Sequence, residues 1–126
     1  MIVGIGTDIV SIARFEAMLE RHGARVAERI LSVDELREFS ETVRPARFLA
    51  KRFAVKEAAA KAFGTGFRAG LSLRHIGVRH DQLGRPELAF SGRAEELCIQ
   101  LQVSASHVSV ADEQDYAIAF VTLQRG

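Results

Sequence analysis

The chain opens with an apolar, β-branched run, Ile2-Val3-Gly4-Ile5-Gly6, which continues through Thr7-Asp8 to Ile9-Val10. This pattern predicts a buried strand over residues 2–10 that ends in a polar turn before a helix. From Ser11 the period changes. Ile12, Phe15, Leu19, Val26 and Ile30 recur at helical spacing, which predicts one buried stripe with a break near Gly23 and a polar opposite face. Ser32 followed by Glu35 matches a capping box, in which two side chains satisfy free amides of a first turn, so a second helix should run to about Val43. Pro45 restarts the chain. Residues 47–63 are rich in alanine and lack glycine and proline, which predicts a long helix that stops at Gly64 and leaves through Gly64-Thr65-Gly66.

The second half changes period again. Ser72 to His80 alternates as a strand does, Asp81-Gln82-Leu83-Gly84-Arg85-Pro86 reads as a turn, and Glu87 to Phe90 as the returning strand of a hairpin. Arg93 to Leu101 reads as a short helix, and His107 to Val110 and Tyr116 to Leu123 as two strands joined around residues 111–115. The predicted order is βαααββαββ. Strands that come in runs, rather than alternating with helices, indicate an α+β fold with helices packed on a mainly antiparallel sheet. A chain of 126 residues, 48% of them hydrophobic, can bury one core and is short for two, so residues 1–126 are expected to form a single domain.

Charge changes this picture only locally. Charged residues make up 26% of the chain and the net charge is +1, which argues against disorder and against indiscriminate nucleic-acid binding. Cys98 is the sole cysteine and sits at an apolar helical position, which favours a reducing compartment. No basic leader precedes the first apolar run and Asp8 interrupts it early, so a cytoplasmic protein without a membrane span is expected.

Asp8 stands where an apolar strand meets a helix, and a carboxylate there is either a local cap or a ligand. Glu57 and Lys61 lie four residues apart on the long helix, as a surface ion pair would, with small or apolar neighbours Ala50, Phe53 and Gly64 on that side. Taken together, Asp8 and Glu57 are sufficient protein ligands for magnesium (Mg2+) at a phosphate-handling site, where water and substrate oxygens complete the shell. Lys61 and the following glycine loop would add positive charge and close backbone approach for a pyrophosphate. There is no G-x-x-x-x-G-K loop, and Gly4-Ile5-Gly6 is only a fragment of a dinucleotide fingerprint.

Arg14, Met18, Arg21 and Arg25 recur opposite the buried stripe of the first helix. They form either a solvated face, tempered by Glu16, Glu20 and Glu28, or a docking surface for an acidic helix, with the arginines steering and Met18 supplying adaptable apolar contact. No aromatic residues are interleaved for base stacking, so nucleic acid is not the expected partner. His22, His75, His80 and His107 show no zinc-site spacing, and the gap between His75 and His80 points them to opposite faces of a strand. Cys98 has no visible partner for nucleophilic chemistry.

Three longer blocks carry more than spacing: Gly4-Ile5-Gly6-Thr7-Asp8-Ile9-Val10, residues 47–58 with their Ala54-Val55-Lys56-Glu57-Ala58 centre, and Lys61-Ala62-Phe63-Gly64-Thr65-Gly66. With Gly84-Arg85-Pro86 and residues 107–113 they resemble, in order and over essentially the whole chain, the signature blocks of holo-[acyl-carrier-protein] synthases. The resemblance implies a 4'-phosphopantetheinyl transferase fold assembled as a homotrimer with active sites at subunit boundaries. It implies transfer of 4'-phosphopantetheine from coenzyme A to a serine of acyl carrier protein, with release of 3',5'-ADP, for fatty acid biosynthesis. By the same resemblance Asp8 and Glu57 hold magnesium, and Lys61 contacts the coenzyme A phosphates. Arg44 and Arg52 approach the nucleotide's phosphates, and Gly64, Thr65, Gly66, Arg85 and Pro86 are further coenzyme A contacts. Arg14, Met18, Arg21 and Arg25 dock the acidic helix of acyl carrier protein. Glu57, directly or through water, is the expected acceptor of the serine proton.

Two positions depart from the family pattern: Arg85 stands where many relatives have lysine, and Ala111-Asp112 where many have Ser-His. No histidine base is expected there. Two other readings are a coenzyme A-binding regulatory protein without transfer activity and a magnesium-dependent pyrophosphohydrolase. The retained Asp8, Glu57 and Lys61 oppose the first, and the basic helix, which a water nucleophile does not need, opposes the second.

Overall fold

The computed structural model describes residues 1–126. It begins with strand β1 (Ile2–Ser11), followed by helices α1 (Ile12–His22), α2 (Arg25–Ile30), α3 (Val33–Glu41) and α4 (Pro45–Phe63). A short 3-10 turn, Leu73–His75, leads into the strands β2 (Ile76–His80) and β3 (Pro86–Phe90), then helix α5 (Gly92–Gln100) and strands β4 (Ala105–Asp112) and β5 (Tyr116–Gln124). This is the α+β order expected, with the first helical stripe divided in two. Gly23, at φ +62°, ends α1 in a conformation that a side chain resists, so the stripe restarts as α2 at Arg25.

Other boundaries move for identifiable reasons. Helix α4 starts at Pro45, earlier than Arg47, because proline at the first helical position lacks only an amide that would be unpaired anyway. It ends at Gly64, which takes the left-handed conformation at φ +83°. The capping box forms as read: Glu35 N donates to Ser32 Oγ at 3.4 Å, and Ser32 N donates to Glu35 Oε1 at 3.0 Å. Residues 73–75 are not strand. Ser72 caps a tight turn instead, accepting from Arg74 N and donating its own N–H to His75 Nδ1, so His75 and His80 do not share a strand.

The expected single sheet is two. β1, β5 and β4 form an antiparallel sheet in that order, and β2 and β3 pair as a separate hairpin. α4 lies across the first sheet. Along β5, Ala117, Ala119, Val121 and Leu123 are buried, while Tyr116, Ile118 and Phe120 face outward. Ile118 pairs with Ile9 of β1, whose outward neighbour Ile5 is also exposed, so the outer face of the sheet carries an apolar patch.

The strand and helix meet unusually closely. Gly4 and Gly6 face α4, and a Cβ on either would stand 1.9 Å from the carbonyl oxygen of Ala62 or Ala58. Only glycine allows that approach. On its far side α4 is fixed by a buried ionic network: Lys56 Nζ donates to Glu35 Oε1 at 2.7 Å, to Leu73 O and to Ile76 O, while Val78 N donates to Glu35 Oε2. Arg52 adds ion pairs to Glu35 at 3.2 Å and Glu38 at 3.0 Å. The network ties α3 and β2 to α4 and sets the helix's rotation about its axis.

Candidate functional site

Residues two apart on a strand share a face, so Asp8 points the same way as Gly4 and Gly6, toward α4. Lys61, one turn beyond Glu57 on that helix, reaches across to β1: its Nζ donates to Asp8 Oδ1 at 3.1 Å and to Thr7 O at 2.9 Å. The helical ion pair that the spacing of Glu57 and Lys61 suggests is not formed; Lys61 pairs with Asp8. Glu57 is left half-buried, and its pKa is raised, first by burial and then by the charge of Asp8, against the opposing pull of Lys61 and Arg14. Four candidates from three separate elements thus meet in one cluster.

That donor set fits magnesium. No group of three or more His, Cys, Asp or Glu side chains is arranged to hold a metal, which excludes a zinc-like protein cage. Two neighbouring carboxylates, one of which raises the proton affinity of the other, suit a hard cation that keeps water and takes phosphate oxygens. The Gly64-Thr65-Gly66 loop follows Lys61 directly, with open space beside both glycines and Gly66 N donating back to Ala60 O.

Next to the cluster lies the basic face. The Arg14 guanidinium sits over the Phe15 ring at 5.5 Å and the Phe53 ring at 5.2 Å. Phe53, one helical turn before Glu57, also lines an open groove of about 550 Å³ together with Met18, Arg25, Arg29 and Leu73. Arg21 is exposed on α1 but does not line the groove.

A second basic cavity, of about 250 Å³, stands at the other end of α4 and includes Arg44, Arg47, Phe48, Lys51, Arg52 and His80. Arg52 meets the carboxylates of Glu35 and Glu38 and stacks on Phe48 at 4.4 Å, in place of the phosphate expected of it. Its edge reaches the cavity, but its charge is already matched. Arg44, the N-cap of α4, is exposed and stands 17 residues before Lys61, about 25 Å at the helical rise of about 1.5 Å per residue. One chain therefore does not bring Arg44 to the Asp8 cluster. Arg85 stands at the hairpin tip, where Asp81 accepts from Leu83 N, Arg85 N and Arg85 Nε, and Pro86 opens β3.

A family model described as the 4'-phosphopantetheinyl transferase superfamily matches residues 4–121, nearly the whole chain and every element just described. The chain belongs to that superfamily. Among its relatives, the holo-[acyl-carrier-protein] synthase of Hamiltonella defensa is 54% identical over 123 residues, covering 98% of each chain. The crystal structure of holo-[acyl-carrier-protein] synthase from Neisseria meningitidis superposes with a TM-score of 0.94 at 44% identity, over 99% of this chain and 100% of that one. The Helicobacter pylori holo-[acyl-carrier-protein] synthase solved in complex with coenzyme A superposes at 0.83 with 30% identity, over 95% and 99%.

Several residues of this transferase that shape the site carry no sequence signal of their own. Arg47 donates to Asp112 Oδ2 at 2.7 Å and to the carbonyls of Glu113 and Gln114, and Lys51 approaches Asp112 Oδ1 at 3.4 Å. The Arg47 hydrogen bond holds the Asp112 carboxyl below its usual range. Asp112 is thus an anchor for the basic cavity's wall. His107 Nε2 lies 3.2 Å from Gln124 Oε1 on the exposed face of β4, outside the Asp8 cluster. Burial pushes the Cys98 thiol up to about 11, which leaves it without thiolate character at neutral pH.

Proposed function

We propose that this transferase moves 4'-phosphopantetheine from coenzyme A onto a serine hydroxyl of apo-acyl carrier protein, giving holo-acyl carrier protein and 3',5'-ADP for fatty acid biosynthesis. The observation that carries the reading is the adjacency of two surfaces. Phe53 lines the groove and carries the Arg14 guanidinium on its ring, and Arg14 acts electrostatically on Glu57, so an acidic helix held in the groove would bring its serine to the Asp8–Glu57–Lys61 cluster. The serine oxygen forms a bond to the β-phosphorus of coenzyme A as the bond from that phosphorus to the bridging oxygen breaks. Catalysis of this kind rests on alignment and charge neutralisation.

In this reading Lys61 stabilises charge on the departing 3',5'-ADP, and the open glycines of the Gly64-Thr65-Gly66 loop let the phosphates approach closely. Glu57, directly or through water, takes the serine proton. Asp8 and Glu57 would hold Mg2+, which when bound supplies charge neutralisation at the pyrophosphate. Arg14, Met18, Arg21 and Arg25 receive the carrier's acidic helix.

We further propose a homotrimer whose active sites fall between subunits. Two features support it: the separation of about 25 Å between Arg44 and Lys61 within one helix, too far for one pyrophosphate, and the exposed patch of Ile5, Ile9, Ile118 and Phe120. Arg44, Arg85 and Pro86 would meet the nucleotide from a neighbouring subunit or at the boundary, with Arg52, held by Glu35 and Glu38, in the wall of the same cavity. No helix is long and apolar enough to cross a membrane, and a cytoplasmic location accords with the lone Cys98.

The test is the mass of purified apo-acyl carrier protein after incubation with this protein, coenzyme A and magnesium. The expected result is a gain of one phosphopantetheine that is lost in Asp8→Ala and Glu57→Ala. Release of 3',5'-ADP without carrier would instead identify a hydrolase. Binding of coenzyme A with no transfer would identify a regulatory protein.

A further inference from the structure

Lys61 occupies an unexpected position. On the helix its natural partner is Glu57, four residues earlier, yet its ammonium leaves that neighbour and takes two acceptors on β1, Asp8 Oδ1 at 3.1 Å and Thr7 O at 2.9 Å. The two partners differ in freedom. The Asp8 side chain is 17% exposed and its backbone is fixed in the sheet, whereas Lys61 is 52% exposed on a flexible four-carbon stem. Of the pair, the lysine is the one that can move.

We infer that Lys61 is the resident cation of the Asp8 carboxylate, which a divalent ion must displace, so that one ammonium serves first as a placeholder on Asp8 and then as a phosphate contact. This deepens the reading of Asp8 and Glu57 as magnesium ligands and rests on it. An ammonium and a divalent cation on one carboxylate repel each other strongly, since they would stand within a few ångströms in a partly desolvated site. Metal arrival at Asp8 therefore expels Lys61. The displaced ammonium remains beside the Gly64-Thr65-Gly66 loop, where a pyrophosphate would lie in this reading.

The coupling is reciprocal. A phosphate that draws Lys61 off Asp8 opens the carboxylate to the metal, and a metal that drives Lys61 off supplies the phosphate with its cation. Metal and nucleotide each strengthen the other's binding through this exchange. Binding of metal alone is correspondingly weakened by the lysine.

Manganese alone is the probe, titrated into nucleotide-free protein and followed by the electron paramagnetic resonance signal of the free ion. Lys61→Met is expected to bind Mn2+ about tenfold more tightly than wild type, the size of effect an adjacent charge has on a bound cation such as a proton. Arg14→Met is the comparison, because it removes a charge felt by Glu57 that is not bonded to Asp8; a much smaller gain is expected. In wild-type protein carrying 13C-labelled lysine, the Lys61 Cε resonance should shift when Mg2+ is added, which requires no variant to fold.

Unchanged or weaker Mn2+ binding by Lys61→Met would overturn the inference, as would an Arg14→Met gain equal to it or a Lys61 resonance that ignores Mg2+. If Asp8→Asn binds Mn2+ as wild type does, the metal site itself has been misassigned and both readings fall. If Asp8→Asn loses the metal while Lys61→Met gains nothing, only the exchange is wrong.

Discussion

Gly6 of β1 lies against Ala58 of α4 so closely that a Cβ on residue 6 would sit 1.9 Å from the Ala58 carbonyl oxygen. That oxygen belongs to the helix backbone and cannot rotate away, so the strand or the helix must shift. Gly6→Ala is expected to cost about 3 kcal/mol, at the upper end for overpacking in a close-packed core. The urea midpoint measures it. Gly77→Ala is the control, because its added Cβ would meet Ser32 Oγ at an ordinary 3.6 Å and leave stability nearly unchanged. Transfer activity should fall in Gly6→Ala beyond the loss of folded protein, because the same shift carries Asp8 away from Glu57.

Glu35 is the second structural anchor, and its contribution depends on pH. Burial pushes its pKa up, but the charge and hydrogen bond of Lys56, the Ser32 amide and the charge of Arg52 outweigh burial and hold it below the ordinary 4.5. A depressed carboxylate stabilises the fold fully above its unfolded pKa and loses that contribution as pH falls through the folded value. Thermal unfolding of wild type should therefore weaken below pH 4.5 more steeply than that of Glu35→Gln. Glu35→Ala, which leaves Lys56 buried without its carboxylate, should cost about 3–5 kcal/mol at neutral pH.

Glu57 moves in the opposite direction. Burial first, and the Asp8 charge second, raise its pKa above 4.5, while Lys61 and Arg14 oppose the shift. Carbon NMR of 13C-glutamate in metal-free protein should place its midpoint above the ordinary value. Asp8→Asn should lower that midpoint and Lys61→Met should raise it.

The groove on α1 and α2 makes a separate prediction. Arg25→Glu places a like charge against an acidic helix and should raise KM for acyl carrier protein about tenfold, with KM for coenzyme A unchanged. Wild-type KM for the carrier should climb with salt, and the variant's should climb less, since exposed charges are screened. Equal effects on carrier and coenzyme A would remove the groove from the docking surface.

Much of this was legible along the chain because the signals are local. The Ser32–Glu35 capping box, the Gly64 stop of α4, the alternation of β5 and the Gly84 turn each depend on residues a few positions apart. Asp8, Glu57 and Lys61 stood out because charged residues are conspicuous in apolar or alanine-rich segments. Leu73–His75 was misread because its alternation suits a strand, while a side-chain cap at Ser72 competes with ladder pairing. The pairing of Arg52 is not legible in the sequence because Glu35 and Glu38 lie 17 and 14 residues away.

By itself the sequence determined the order of elements, the α+β class, the family blocks and the short set of charged residues able to carry chemistry. Those follow from backbone propensity, hydrophobic period and residue type, which neighbours along the chain decide. Tertiary structure alone decided how the charges pair: Lys61 with Asp8 and not Glu57, Arg52 with Glu35 and Glu38, Arg47 with Asp112. It also set Arg44 and Lys61 at opposite ends of one rigid helix. Pairing depends on how far a strand approaches a helix and how that helix is rotated, and here Gly6 permits the approach while the buried Lys56–Glu35 contact sets the rotation.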